Sequence, residues 1–159
     1  MCIRISPCLD ACAFAEAERI IRLYAVELEI DLGFQNFEEE VSDLPAQYAA
    51  PTGGMLLAMR GEGPVGCVGV RKVAGDIAEL KRLYVMPAAR GTGLGRQLAV
   101  AAIKLAAQLG YQRIRLDTLP SMTQANQLYR SLGFRQIAPY RHNPVPGTRY
   151  FEKTIEASE

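Results

Sequence analysis

Residues 77–118 read IAELKRLYVMPAARGTGLGRQLAVAAIKLAAQLGYQRIRLDT, and the order of patterns in them decides the fold. Ile77 to Val85 read as a strand, which Met86-Pro87 ends because proline has no amide to give a ladder. After a glycine-rich turn, Leu94, Leu98, Ala102, Leu105 and Leu109 recur at helical spacing, with Gly110 placed as the C′ residue. Residues 113–118, RIRLDT, read as a strand again. Strand, helix and strand make a crossover, so the two strands should lie parallel and adjacent.

Upstream, the strands are closer together. MLLAMR (55–60) and VGCVGVR (65–71) are strands split by GEGP, and VAGD separates the second from residues 77–85. That is an antiparallel meander. CIRIS (2–6) is an opening strand. Phe14, Ala17, Ile21, Tyr24 and Leu28 mark an amphipathic helix over 14–30, followed by a loop and a short helix near 36–42. Downstream, Ala125, Leu128, Tyr129 and Leu132 lie on a last helix stopped by Gly133. A strand from about Phe134, a proline-rich loop and a strand over 149–155 complete the chain. No repeat or linker interrupts it, so residues 1–159 are expected to form a single domain. The class is α/β, a mixed sheet with helices on both faces.

Lys and Arg number 18 against 17 Asp and Glu, so the chain offers no charge footprint for nucleic acid or a membrane surface. It has no apolar run of membrane-spanning length, and its N-terminus lacks the apolar core of a secretory signal. Cys2, Cys8, Cys12 and Cys67 follow no zinc spacing, and the single histidine, His142, is remote from them in sequence. No metal is expected. Free thiols point to a reducing compartment, the cytoplasm.

The turn itself, RGTGLGR (90–96), poses the chemical question. A phosphate-binding GxxxxGK is absent, because the chain has no Gly-Lys pair. A dinucleotide GxGxxG fails too: the third glycine would fall on Arg96 or Leu98. Two readings remain, a plain tight turn or a strand–loop–helix junction whose amides face a pyrophosphate. Arginine at both ends and the immediate helix favour the second.

Arg90-Gly91-Thr92-Gly93-Leu94-Gly95 resembles the RxxGxG signature of the GNAT superfamily of N-acyltransferases. ELKRLYVMPAARGTGLG, RLDT and ANQLYRSLGF follow in that superfamily's order, so the likeness spans about residues 53–138. It implies the GNAT acyl-CoA N-acyltransferase fold, a mostly antiparallel central sheet with one parallel pair. It also implies acetyl-CoA as co-substrate, with the pyrophosphate on Arg90, Gly91, Thr92, Gly93, Leu94, Gly95 and Arg96. The backbone of Leu83, Tyr84 and Val85 would pair with the pantetheine arm like an added strand. One departure is Met122, where many members carry an asparagine that can contact the cofactor.

The implied reaction is acetyl transfer to a primary amine by direct attack in a ternary complex. A free alkyl ammonium loses its proton near pH 10, so a base or relaying water is needed. The resemblance gives that role to Glu79, directly or through water; Asp117, on the next strand, is a weaker second candidate from the sequence itself. Even spacing would put Glu79, Lys81, Leu83 and Val85 on one face of their strand. Backbone amides of Leu83 to Val85 would stabilise the oxyanion, and Tyr129 would protonate the leaving thiolate.

The acceptor would meet the variable loops: Phe34, Gln35, Phe37 and Glu38 before the meander, and Tyr140, Arg141, His142 and Asn143 before the last strand. Arg141 and Arg149 suit a carboxylate on a small-molecule or peptide amine, and Glu38-Glu39-Glu40 suits a polyamine. The sequence leaves a homodimer open. A rival reading is a non-catalytic module sensing coenzyme A or its esters. The joint presence of Glu79 and Tyr129, one for each proton transfer, favours the enzyme.

Overall fold

The structure, a computed structural model, describes residues 2–28, 36–120, 122–141, 143 and 145–155. Ile3–Pro7 form β1 and Ala11–Leu28 form α1. The helix begins earlier than the expected Phe14, because Asp10 Oδ1 accepts the Ala13 amide at 2.8 Å and caps the first turn. Phe37–Ser42 form α2. The meander follows as β2 (Gly54–Arg60), β3 (Gly63–Ala74) and β4 (Ile77–Val85). Its strands run further than expected, leaving only Gly61-Glu62 and Gly75-Asp76 as turns. Then come α3 (Leu94–Gln108), β5 (Arg113–Thr118), α4 (Thr123–Ser131), β6 (Arg135–Ile137) and β7 (Arg149–Thr154).

The strands form one seven-stranded sheet in the order β1-β2-β3-β4-β5-β7-β6. Every pairing is antiparallel except β4 with β5, the crossover pair. The sheet carries helices on both faces. Leu94, Leu98 and Ala102 of α3 and Tyr129 of α4 pack on one side against Leu80, Ile114 and Phe151. Ala17, Ile20 and Ile21 of α1 and Val41 of α2 pack on the other, against Met55, Leu57 and Tyr84. Burying each such aliphatic side chain contributes about 1.5–3 kcal/mol.

Two irregularities of β4 shape the site. The first overturns the even-spacing expectation. Cys67 pairs with Tyr84, yet Gly69 pairs with Lys81, so β4 holds one residue more than β3 across that interval. Arg82 sits within it at φ 58°. Such a bulge shifts the side-chain phase of everything beyond it. Leu83 and Val85 therefore pack with the α3-side core, as Ala78 and Leu80 do. Glu79 and Lys81, which alternate with Ala78 and Leu80, lie on the opposite face. The second irregularity is a split. β4 pairs with β5 only from Ile77–Arg113 to Glu79–Arg115. Beyond Glu79 the β5-facing edge of β4 has no ladder partner among the described residues.

Candidate active site

Gly91 and Gly93 take φ of 81° and 85°, and α3 begins directly after them with Gly93 as N-cap and no side-chain cap. The first amide to find a carbonyl is that of Gln97, bonded to Gly93 at 3.1 Å. The amides from Gly91 through Arg96 have no hydrogen-bond partner among the described residues. Among the described residues, six donors thus stand without a partner at the positive end of a helix. No atom lies within 4 Å of a Cβ built on Gly91 or Gly93, so backbone conformation rather than crowding calls for glycine there.

This turn opens onto a groove of about 540 Å³. One wall is Leu83, Tyr84 and Val85 of β4, and the floor is Arg90, Gly91, Gly93, Leu94 and Gly95. Met122, Thr123, Gln124 and Ala125 bring in the first turn of α4, so two helix N-termini share the groove. Tyr24 and Glu27 of α1 close the far side. Arg90 ties the walls together: its Nε donates to the Val85 carbonyl at 3.0 Å, and its guanidinium meets Glu27 at 2.5 Å. Glu27 also accepts the Tyr84 hydroxyl at 3.1 Å, and the Tyr24 and Tyr84 rings lie 5.1 Å apart. Thr92 and Arg96 do not line the groove. Thr92 Oγ1 donates to Ala89 at 2.6 Å, and Arg96 donates to Ser131 Oγ at 2.9 Å, joining α3 to α4. The sequence points to position 122 through the family's asparagine, but it gives no signal for Thr123, Gln124, Ala125, Glu27 or Tyr24, whose place on the amphipathic face of α1 marks it only for the core it also packs against.

Gly95 offers a clean probe. A Cβ there would make ordinary contacts, 3.9 Å to Val85 and 4.0 Å to Leu128. Gly95→Ala should therefore raise the melting temperature, since alanine is favoured over glycine in a helix by about 1 kcal/mol. The same methyl occupies groove space, so coenzyme A affinity should fall about tenfold by calorimetry. Unchanged affinity would remove Gly95 from the ligand's path.

Tyr129 is 5 % exposed and belongs to the α3-side core rather than the groove lining. Its position follows from how α4 ends. Gly133, at φ 96°, donates to Arg130, and Phe134 donates to Tyr129 at 3.0 Å. This is a Schellman cap, and its usual apolar contact is the Phe134 ring on the Tyr129 ring at 5.6 Å. Leu128-Tyr129…Gly133-Phe134 is thus one mechanical unit. Burial, then the Tyr24 and Asp117 charges, push the Tyr129 phenol well above its ordinary range.

Glu79 is fully buried and lies outside the groove lining. Its Oε1 accepts Arg71 Nε at 3.0 Å, and its Oε2 accepts the Tyr140 hydroxyl at 2.7 Å and Arg141 at 2.6 Å. Burial alone would raise its carboxyl, but Lys81, Arg141, Arg71 and the Tyr140 bond outweigh it and the net shift is downward. A second cluster centres on Glu40, buried on α2. It accepts Arg82 at 2.8 and 3.1 Å and the Tyr48 hydroxyl at 2.7 Å. Arg71, 3.4 Å from Glu40, joins the clusters. Burial raises the Glu40 carboxyl as well, and its donors again prevail and lower it. Carboxyls lowered by folding stabilise the native state above their unfolded value near 4.5, and that contribution fades as pH falls through the folded values. The melting temperature should hold from pH 7 to about 5 and drop below about 4.5. A flat profile down to pH 3 would show that neither carboxyl is held this way.

Of the residues expected around the acceptor, Phe34, Gln35 and His142 lie outside the described residues. Tyr140 and Arg141 come together on Glu79, and Asn143 donates to Asp117 at 3.4 Å. Arg149 is exposed. Glu38 pairs with Arg22 and Glu40 is buried, so the acidic trio presents no common charged face. Among the described residues no group of three or more His, Cys, Asp or Glu could hold a metal ion, and no helix is long and apolar enough to cross a membrane.

A profile of the acetyltransferase (GNAT) family matches residues 17–134. An uncharacterised N-acetyltransferase of Schizosaccharomyces pombe is 40% identical over 133 residues, covering 82% of each chain. An N-acetylaspartate synthetase of Danio rerio is 31% identical over 110 residues, covering 68% of this chain and 39% of that protein. Among solved structures, a GNAT-family acetyltransferase of Staphylococcus aureus superposes with a TM-score of 0.81 at 21% identity, covering 98% of this chain and all of the other. An acetyltransferase of Bacillus subtilis in complex with CoA superposes at 0.70 with 19% identity, covering 98% of this chain and all of that one. The chain belongs to the acetyltransferase (GNAT) family and is an acetyl-CoA-dependent N-acetyltransferase.

Proposed function

We propose that the protein, acting as one domain in the cytoplasm, moves the acetyl group of acetyl-CoA directly onto the primary amine of a small molecule or peptide. The observation that carries this reading is the run of unpartnered amides from Gly91 to Arg96 beside an unpaired stretch of β4. The amides and the two helix ends suit the pyrophosphate, and the open edge of Leu83–Val85 suits an amide-rich arm added as a strand. Bound there, acetyl-CoA supplies an activated thioester carbonyl. Main-chain donors of that edge stabilise charge on the carbonyl oxygen, an effect worth about 3 kcal/mol per donor in comparable sites. Tyr129, held protonated at neutral pH, gives its proton to the departing sulfur. Glu79, held ionised by its cationic neighbours, draws the amine proton through water. Its lowered proton affinity makes it a relay that passes the proton on through water to solvent, from which the Tyr129 phenolate regains its own. Asp117, partly exposed on β5, is the second acceptor for that proton.

Titration calorimetry with acetyl-CoA and coenzyme A, followed by thiol release against a panel of amines, tests the reading. Because one relative is named for N-acetylaspartate, the panel includes aspartate beside polyamines, lysine and peptide N-termini. Tight binding with thiol release for some amine supports it. Absence of coenzyme A binding would overturn it.

A further inference from the structure

Arg82 stands in the β4 bulge opposite Cys67–Gly69, with a positive φ that an arginine adopts only under constraint. Three contacts hold it. Its guanidinium forks onto Glu40 at 2.8 and 3.1 Å, although both residues are almost wholly buried. The Phe37 ring of α2 lies 5.1 Å from the same guanidinium. Its carbonyl accepts the buried Cys67 thiol at 3.3 Å. Glu40 is fixed in turn by Tyr48. A buried, bidentate pair of this kind contributes little net stability but strongly disfavours every arrangement that separates its partners. Here the disfavoured arrangement is a β4 of regular alternation, in which Leu83 to Val85 change phase.

We propose that Glu40 and Arg82 are positioning residues: α2 clamps the β4 bulge so that the Leu83–Val85 backbone is aimed at the thioester carbonyl. The proposal rests on the reading above that this edge receives acetyl-CoA. It assigns α2 a task in the acyl-transfer step, not only in covering the sheet.

The decisive variant is Arg82→Gly, because glycine takes φ 58° without strain while the clamp is lost. Its kcat should fall tenfold or more, and by a larger factor than coenzyme A affinity, because the pantetheine edge is loosened while the amides of Gly91–Arg96 are untouched. Arg82→Lys and Glu40→Gln, which keep part of the clamp, should recover intermediate kcat. A spectroscopic signature separates positioning from general loosening. The carbonyl stretch of isotope-labelled acetyl-CoA should be lowered on the wild-type enzyme and return toward its free value on Arg82→Gly. Wild-type kcat in Arg82→Gly, or an unchanged carbonyl stretch, overturns the proposal. If Arg82→Gly does not fold, the same comparison in Arg82→Lys and Glu40→Gln decides. Failure of wild type itself to bind coenzyme A would instead strike the underlying functional reading.

Discussion

Tyr129→Phe is expected to lower kcat by about 10² or more while leaving coenzyme A affinity and melting temperature close to wild type. The substitution removes one hydroxyl and keeps the ring, so the Phe134 contact and the Schellman cap survive. What would be lost, on the proposed role of Tyr129, is the proton for the departing thiolate. The raised proton affinity of the buried phenol keeps that proton in place throughout the neutral range. Steady-state turnover with the best acceptor, beside calorimetry with coenzyme A, reads the two quantities separately. Unchanged turnover would remove Tyr129 from the chemistry and leave it as a core aromatic.

Glu79→Ala should destabilise the protein by about 3–5 kcal/mol, the typical loss when one side of a buried ion pair is deleted. Three donors would be stranded, from Arg71, Tyr140 and Arg141, and they come from β3 and from the segment leading to β7. Denaturant unfolding measures the loss. A change under 1 kcal/mol would mean that the cluster is not closed in solution. Glu79→Gln separates support from chemistry, since it keeps shape and acceptor capacity on one oxygen. Near-native stability with a deep loss of kcat would identify proton relay. Loss of both together would identify support alone.

The glycine turn and the crossover were legible because their determinants are local. Gly91, Gly93 and Leu94 sit side by side in sequence, and the Leu94-to-Leu109 stripe states its own period. The bulge was not legible. Nothing in ELKRLYV marks Arg82 as the extra residue, because what holds it there is Glu40, far away on α2. The same is true of the α1 wall: Glu27 enters the groove only when α1 crosses the sheet beside Arg90. The insertion of β7 between β5 and β6 also escaped a reading that followed chain order. Tyr129 was legible as a role by resemblance, but its orientation depends on the geometry of the cap.

The free amides of the Gly91–Arg96 turn have a kinetic consequence. On the proposed function they would grip a part of the co-substrate that the reaction does not change. A hold that is equal before, during and after the chemical step speeds capture but not transformation. Spent coenzyme A carries the same pyrophosphate and would keep the same grip. It would then compete with fresh acetyl-CoA, and its departure would become the slow step of the cycle. Turnover in a cell would then follow the ratio of acetylated to free coenzyme A rather than the amount of either. A turn built for tight capture would thereby make the enzyme a reporter of acetyl supply.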